Sequence, residues 1–204
     1  MPVDPIAVEV IRNALSYAAE EMGIALRNSS YSPNIKERMD HSCALFDAHG
    51  RLLAQAEHIP VHLGSLPWGV KNALQYLRER GDEWKKGDVV MVNDPYIVGT
   101  HLNDMTLIKP IFLEKQLMGF SVNKAHHVDV GGQTSGSISC NATSLYQEGV
   151  VIPPTKLIEQ DRLSRDVLDD FIEKVRVPKT ARGDLRAQIA AANSVSYTHL
   201  TLPT

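Results

Sequence analysis

Met105-Thr106-Leu107-Ile108, Ile111-Phe112-Leu113, Glu114-Lys115-Gln116 and Leu117-Met118-Gly119-Phe120-Ser121-Val122 follow one another through the middle of the chain, with Pro110 splitting the first two. Apolar runs on either side of a short polar break read as strand, tight turn, strand. In an antiparallel pair, residues equally far from the turn lie opposite each other. Counting back from Lys115, Asp104 is 11 residues away and His101 is 14; counting forward, His126 is 11 away. The hairpin therefore sets Asp104 directly against His126, with His101 in the preceding loop. Side chains alternate across a strand, so His127 falls on the opposite face and reads as a supporting or core residue.

Both ends of this hairpin carry chemistry. Gly99-Thr100-His101-Leu102-Asn103-Asp104 leads in, and Ala125-His126-His127-Val128-Asp129-Val130-Gly131-Gly132 leads out. Neutral imidazole beside carboxylate makes a nitrogen/oxygen site suited to zinc, manganese or iron. An isolated HxxD is a weak signal; two such runs brought together by strand pairing are a stronger one. Catalytic zinc usually takes three protein ligands, and a fourth, oxygen ligand suits manganese or a firmly held zinc. Glu37-Arg38-Met39-Asp40-His41 offers acids and an imidazole just before a strand, although a solvated turn fits it equally well. His58 and His62 are four apart, but Pro60 between them argues for an extended loop, with pocket lining or packing as their role. His49 sits in a hairpin turn and reads as exposed.

Working outward, Asp4-Pro5 supplies an N-cap and a first-turn proline. Ile11, Leu15, Ala18, Met22 and Ala25 then mark an amphipathic helix to about Asn28. Cys43–Asp47 and Leu52–Ala56 around Ala48-His49-Gly50-Arg51 read as a hairpin. Val70, Leu74 and Leu77 mark a second helix ending at Gly81, and Val89–Val92 a buried strand stopping at Asn93-Asp94-Pro95. The Gly/Ser/Thr-rich stretch from Gly131 to Gly149 reads as a long ordered loop. Ser164–Val175 and Thr180–Asn193 read as two further helices. The expected class is α+β: a mixed, largely antiparallel sheet with a long N-terminal helix and flanking helices.

The 204 residues carry a formal charge of -3, with 43% hydrophobic and 22% charged residues, ordinary values for a soluble globular protein. There is no basic block to meet nucleic acid and no run long enough to span a bilayer. Cys43 and Cys140 form no CxxC pair. With no signal-peptide pattern at the N-terminus, a cytoplasmic location is expected. Gly131–Ser137 lacks the lysine and spacing of a phosphate-binding P-loop, and no GxSxG elbow occurs. Glu148 suits a general base or a salt-bridge partner. Val195–Thr204 carries no charge and no apolar period, and resembles the in-frame translation of a sequencing adapter. Residues 194–204 are therefore expected to be a non-native tail, with His199 outside any site, and residues 1–193 a truncated domain.

Taken in order, the two histidine-bearing runs, Asp94-Pro95, Arg38–Asp47, His58–Gly64, Gln147-Glu148-Gly149 and Ile152-Pro153-Pro154 resemble the hydantoinase B family over residues 4–193. That family includes the B subunit of N-methylhydantoinase, the matching half of 5-oxoprolinase, caprolactamase, and the α subunits of acetone and acetophenone carboxylases. The resemblance implies a metal-binding B subunit of an ATP-dependent cyclic amide hydrolase. A hydantoinase A-like ATPase partner would handle ATP and phosphorylate the substrate, or, in the alternative, the pair would act as a carboxylase. A metal-stabilised interaction module without catalysis is a third reading. Carried over by position, the divalent metal, zinc or manganese, would be held by Asp40, His101, Asp104 and His126. Asp40 rests on the resemblance alone. Glu148 or His127 would move the proton, and the fragment by itself is expected to be inactive and to expose apolar surface.

Overall fold

The computed structural model describes residues 4–56 and 58–198. Within them, β1 (His41–Asp47), β2 (Leu52–Gln55), β3 (Val89–Val92), β4 (Asp104–Leu113), β5 (Gln116–His126), β6 (Thr155–Glu159) and β7 (Arg162–Leu163) form one sheet in the order β2-β1-β5-β4-β3-β6-β7. Every neighbouring pair is antiparallel. The helices are α1 (Pro5–Ser29), α2 (Pro33–Lys36), α3 (Pro60–Glu79), α4 (Pro95–Val98), α5 (Leu145–Glu148), α6 (Arg165–Lys174) and α7 (Pro178–Thr198). The α+β class and the long N-terminal helix are as the periodicity predicts. Asp4 caps α1 by accepting the Ile6 amide at 3.0 Å, with Pro5 in the first turn.

Strand alternation divides the core between two faces. Ala44 and Phe46, Val90 and Val92, Ile108, and Phe120 and Val122 pack with Leu66, Val70, Ala73 and Leu77 of α3. On the other face, Cys43 and Leu45 meet Ala18, Met22 and Leu26 of α1 and Ala187 and Ala191 of α7. Val89, Met91, Met105 and Leu107 meet Phe171 and Ile172 of α6 and Leu185 of α7. With both faces covered, the inner strands read as unbroken apolar runs, which is why Val89–Val92 shows no polar alternation. On α1, Ile6, Val10 and Ile11 stay exposed. An apolar groove there is lined by Ile11, Leu15, Leu45, Ile111, Met118 and Val195.

The central hairpin pairs Asp104 with His126, as the count from Lys115 predicts, but through two compensating details. The turn is the two residues Glu114-Lys115, since Gln116 already pairs with Leu113. Continued without interruption, that register would set Asp104 against Ala125. A bulge between Ile111 and Phe112 shifts it by one residue and restores the Asp104–His126 pair. Pro110 does not split β4, because β3 pairs only with Thr106–Ile108 and leaves the neighbourhood of the proline with a free edge.

The sequence expectation at Pro60 is corrected. Pro60 does not exclude a helix but starts one: it occupies the first turn of α3, where a missing N–H is harmless. His62 is therefore helical and His58 is not. The β6–β7 hairpin went unpredicted because its turn residues, Gln160 and Asp161, are neither glycine nor asparagine yet adopt φ of 48° and 65°. The second half of the expected tail, residues 199–204 with His199, lies outside the described residues; α7 itself continues to Thr198.

Asp129 organises the Gly131–Gly149 loop. Its carboxylate accepts the amides of Gly131, Gly136 and Arg176 and the Arg176 Nη1 at 2.7 Å. Burial opposes ionisation of Asp129, but the Arg176 hydrogen bonds outweigh it and hold its carboxyl below the ordinary carboxylate range. Asp129→Ala is expected to destabilise the fold by about 2 kcal/mol at neutral pH, read by denaturant unfolding. Because the folded value is depressed, this contribution is full above roughly pH 4 and is lost as the pH falls through the folded value beneath it.

A second expectation concerns Gly119, which pairs with Asp47 on one side and Ile111 on the other. A Cβ there would lie 2.1 Å from the Phe46 carbonyl oxygen, a backbone atom that cannot swing aside. Gly119→Ala should cost about 1–3 kcal/mol in the same measurement; an unchanged midpoint would refute this packing.

Candidate functional site

The start of β1, the start of β4 and the end of β5 come together at one end of the sheet, on the α3 face. Asp104 is the first residue of β4 and His126 the last of β5. Their side chains meet at 2.7 Å, Oδ1 to Nδ1. Asp40 immediately precedes β1, and its carbonyl accepts the His126 amide at 3.0 Å. His62 projects from the first turn of α3, its Nε2 3.5 Å from Asp104 Oδ2 and 3.7 Å from Asp40 Oδ1. The His101 amide donates to Asp104 Oδ2 at 3.2 Å, and its exposed ring stands edge-on to that of His126, centroids 5.9 Å apart. The Asp104 side chain is 1% exposed and that of Asp40 is 32% exposed, so the cluster grades from a buried floor to an open rim.

The structure thus brings the four expected ligand positions to one end of the sheet and adds His62, for which the sequence suggests pocket lining or packing. The missed signal was Pro60 followed by Leu66, Val70, Ala73 and Leu77 at helical spacing. Asp40 could not be placed from sequence because nothing there announces that β1 pairs with β5. The donor set, two carboxylates with three imidazoles, fits a divalent cation in type. The donors are nonetheless paired with one another, and among the described residues no three His, Cys, Asp or Glu side chains converge as a bound metal requires.

The two expected proton carriers stand apart. His127 lies on the far face, its Nε2 2.9 Å from Gln188 Oε1 of α7 and its ring against Phe171 of α6. Glu148 ends α5 within the glycine-rich loop, its carbonyl close against Gly132.

A residue that sequence reading passed over completes the site. Lys124 lies on the same face of β5 as His126, two residues earlier, and is fully buried. Its Nζ donates to Ser65 Oγ of α3 and the Val98 carbonyl, both at 2.9 Å, and to Thr100 Oγ1 at 3.3 Å. A lysine on an otherwise buried strand face was the available clue.

Electrostatics follow from this packing. Burial alone would raise Asp104, but hydrogen bonding with His126 and His62 reverses that and leaves its carboxyl far below the ordinary range. For His126, burial is outweighed by Asp104, and the imidazole is raised above its ordinary value. Burial pushes Lys124 down to about 8 against the pull of Asp104. On the opposite face His41, packed against His58 at 4.8 Å, is pushed down to about 4 by burial and then by that neighbour. In chelator-treated protein, NMR titration should find His126 still protonated above pH 6.5 and His41 neutral down to about pH 4. Because the folded value of His126 is raised, its contribution to stability is present below pH 6.5 and is lost as the pH rises through that folded value.

With the geometry established, comparison with known proteins identifies the lineage. The profile of the family described as Hydantoinase B/oxoprolinase matches residues 4–200. The chain belongs to that family. An uncharacterized protein of Methanocaldococcus jannaschii is 58% identical over 191 residues, covering 94% of this chain and 34% of the relative. The crystal structure of the ATP-dependent caprolactamase from Pseudomonas jessenii superposes with a TM-score of 0.88 at 37% identity, covering 98% of this chain and 34% of that one. A nucleotide-free acetone carboxylase also gives a TM-score of 0.88, at 24% identity over 95% of this chain and 25% of that one. That last likeness shows the shared fold alone. The chain spans about a third or less of the length of these relatives. No helix among the described residues is long and apolar enough to cross a membrane.

Proposed function

We propose that this chain forms the metal-binding part of the B subunit of an ATP-dependent cyclic amide hydrolase. Its substrate class is a hydantoin- or 5-oxoproline-like ring whose carbonyl oxygen is phosphorylated by a separate hydantoinase A-like ATPase subunit. The observation that carries this reading is the meeting of Asp40, His62, Asp104 and His126 at one end of the sheet, with His101 on the rim. Family membership and the likeness to an ATP-dependent caprolactamase support it.

Asp40, His101, Asp104 and His126 would hold zinc or manganese, with His62 beside them. Such an ion, when bound, brings the pKa of a coordinated water towards about 7 and polarises the carbonyl under attack. The chain's own side chains do the rest. Asp104 fixes the ring of His126 through Nδ1, so that Nε2 is the nitrogen left to act. The exposed His101 faces incoming substrate at the rim. Neither expected proton carrier adjoins the cluster: His127 is bonded to Gln188 on the other face, and Glu148 ends α5 in the glycine-rich loop.

Elemental analysis of protein purified without chelator should find roughly one equivalent of zinc or manganese, lost in His101→Ala and in His126→Ala. In the full-length complex with its ATPase subunit, both substitutions should abolish ATP-dependent lactam hydrolysis. Retention of hydrolysis in either variant overturns the assignment.

A further inference from the structure

Among the buried charged groups near the site, Lys124 has a role that the hydrolytic reading does not use. Its ammonium faces oxygens only: Ser65 Oγ, the carbonyls of Val98 and Gly99, and Thr100 Oγ1. The three donors of the ammonium are met by these oxygens, and complete burial leaves it no route to a substrate. These acceptors belong to the two segments that carry His62 and His101. Gly99 and Thr100 are also consecutive residues in the left-handed region, at φ 67° and 75°. For glycine that conformation is free; for β-branched threonine it is strained and persists only where surroundings enforce it. The turn leads straight into His101, whose amide donates to Asp104 Oδ2 at 3.2 Å.

We infer that Lys124 is a positioning residue: its ammonium locks the Val98–Thr100 turn and thereby holds the adjoining His101 amide on the Asp104 carboxylate, which meets His62 and His126. The identity of the site comes from the function proposed above, but the dependence of the turn on Lys124 does not. Lys124 acts through the turn and Asp104, without touching substrate, and it also fastens α3 to the turn through Ser65.

Hydrogen exchange by mass spectrometry on the whole chain tests this. Lys124→Met keeps the length of the side chain and removes its charge. Exchange of residues 98–104 should accelerate at least about tenfold, the effect of losing hydrogen bonds to a charged group, while β1 and the Gln116–Val122 part of β5 keep their protection. Ser65→Ala removes one acceptor and keeps the charge. It should accelerate the same segment by a smaller factor, and it decides the question if Lys124→Met fails to fold. Wild-type exchange at 98–104 in the folded variants, or protection lost evenly over the sheet, overturns the inference. Manganese(II) affinity, read by electron paramagnetic resonance, should fall about tenfold in Lys124→Met. Absence of manganese binding to the wild type would count against the metal reading alone, because the exchange result does not depend on it.

Discussion

The Asp104–His126 pair ties the chemistry of this protein to its topology. It closes the open end of the β4–β5 hairpin, and every other member of the cluster is positioned relative to it. A strand alternates faces at each residue, so without the register shift Ala125 would stand against Asp104 and His126 would be out of register with it. The bulge at Ile111/Phe112 supplies that shift. It lies towards the other end of β4, yet it decides that an imidazole meets the carboxylate.

The two faces of β5 have different duties. Lys124 and His126 look towards α3 and the site. Ser121 and Asn123 look towards α7, where they donate to the Ala192 and Gln188 carbonyls, and Gln188 joins His127, Asn123 and the Met105 carbonyl in one buried network. Such a network is specific because each group left unmatched would be costly in a medium of low polarity. It fixes α7 against the sheet and holds the back of the site rigid. The adjacent histidines thus serve opposite layers, one facing chemistry and the other holding a helix in place.

Charge within the site is balanced locally. Asp104 stays ionised in a buried position because His126, His62, Thr100 and the Lys124 ammonium surround it. Asp40 is more exposed and contributes the negative side of the rim.

Much of this was readable from residues alone. Helix α1 follows from its cap and apolar spacing, β3 from its apolar run, and the Asp104–His126 pairing from counting outwards from the turn, although the true turn is shorter and a bulge makes up the difference. These are local signals, set by periodicity and turn chemistry within a few residues. Asp40, His62 and Lys124 were not readable in the same way. Asp40 joins the site only because β1 pairs with β5, and His62 only because Pro60 begins a helix packed on that face. Lys124 matters because the Gly99–Thr100 turn folds back over it. Each of these depends on contacts between segments distant in the chain, and no local pattern encodes which surface a strand or helix will meet.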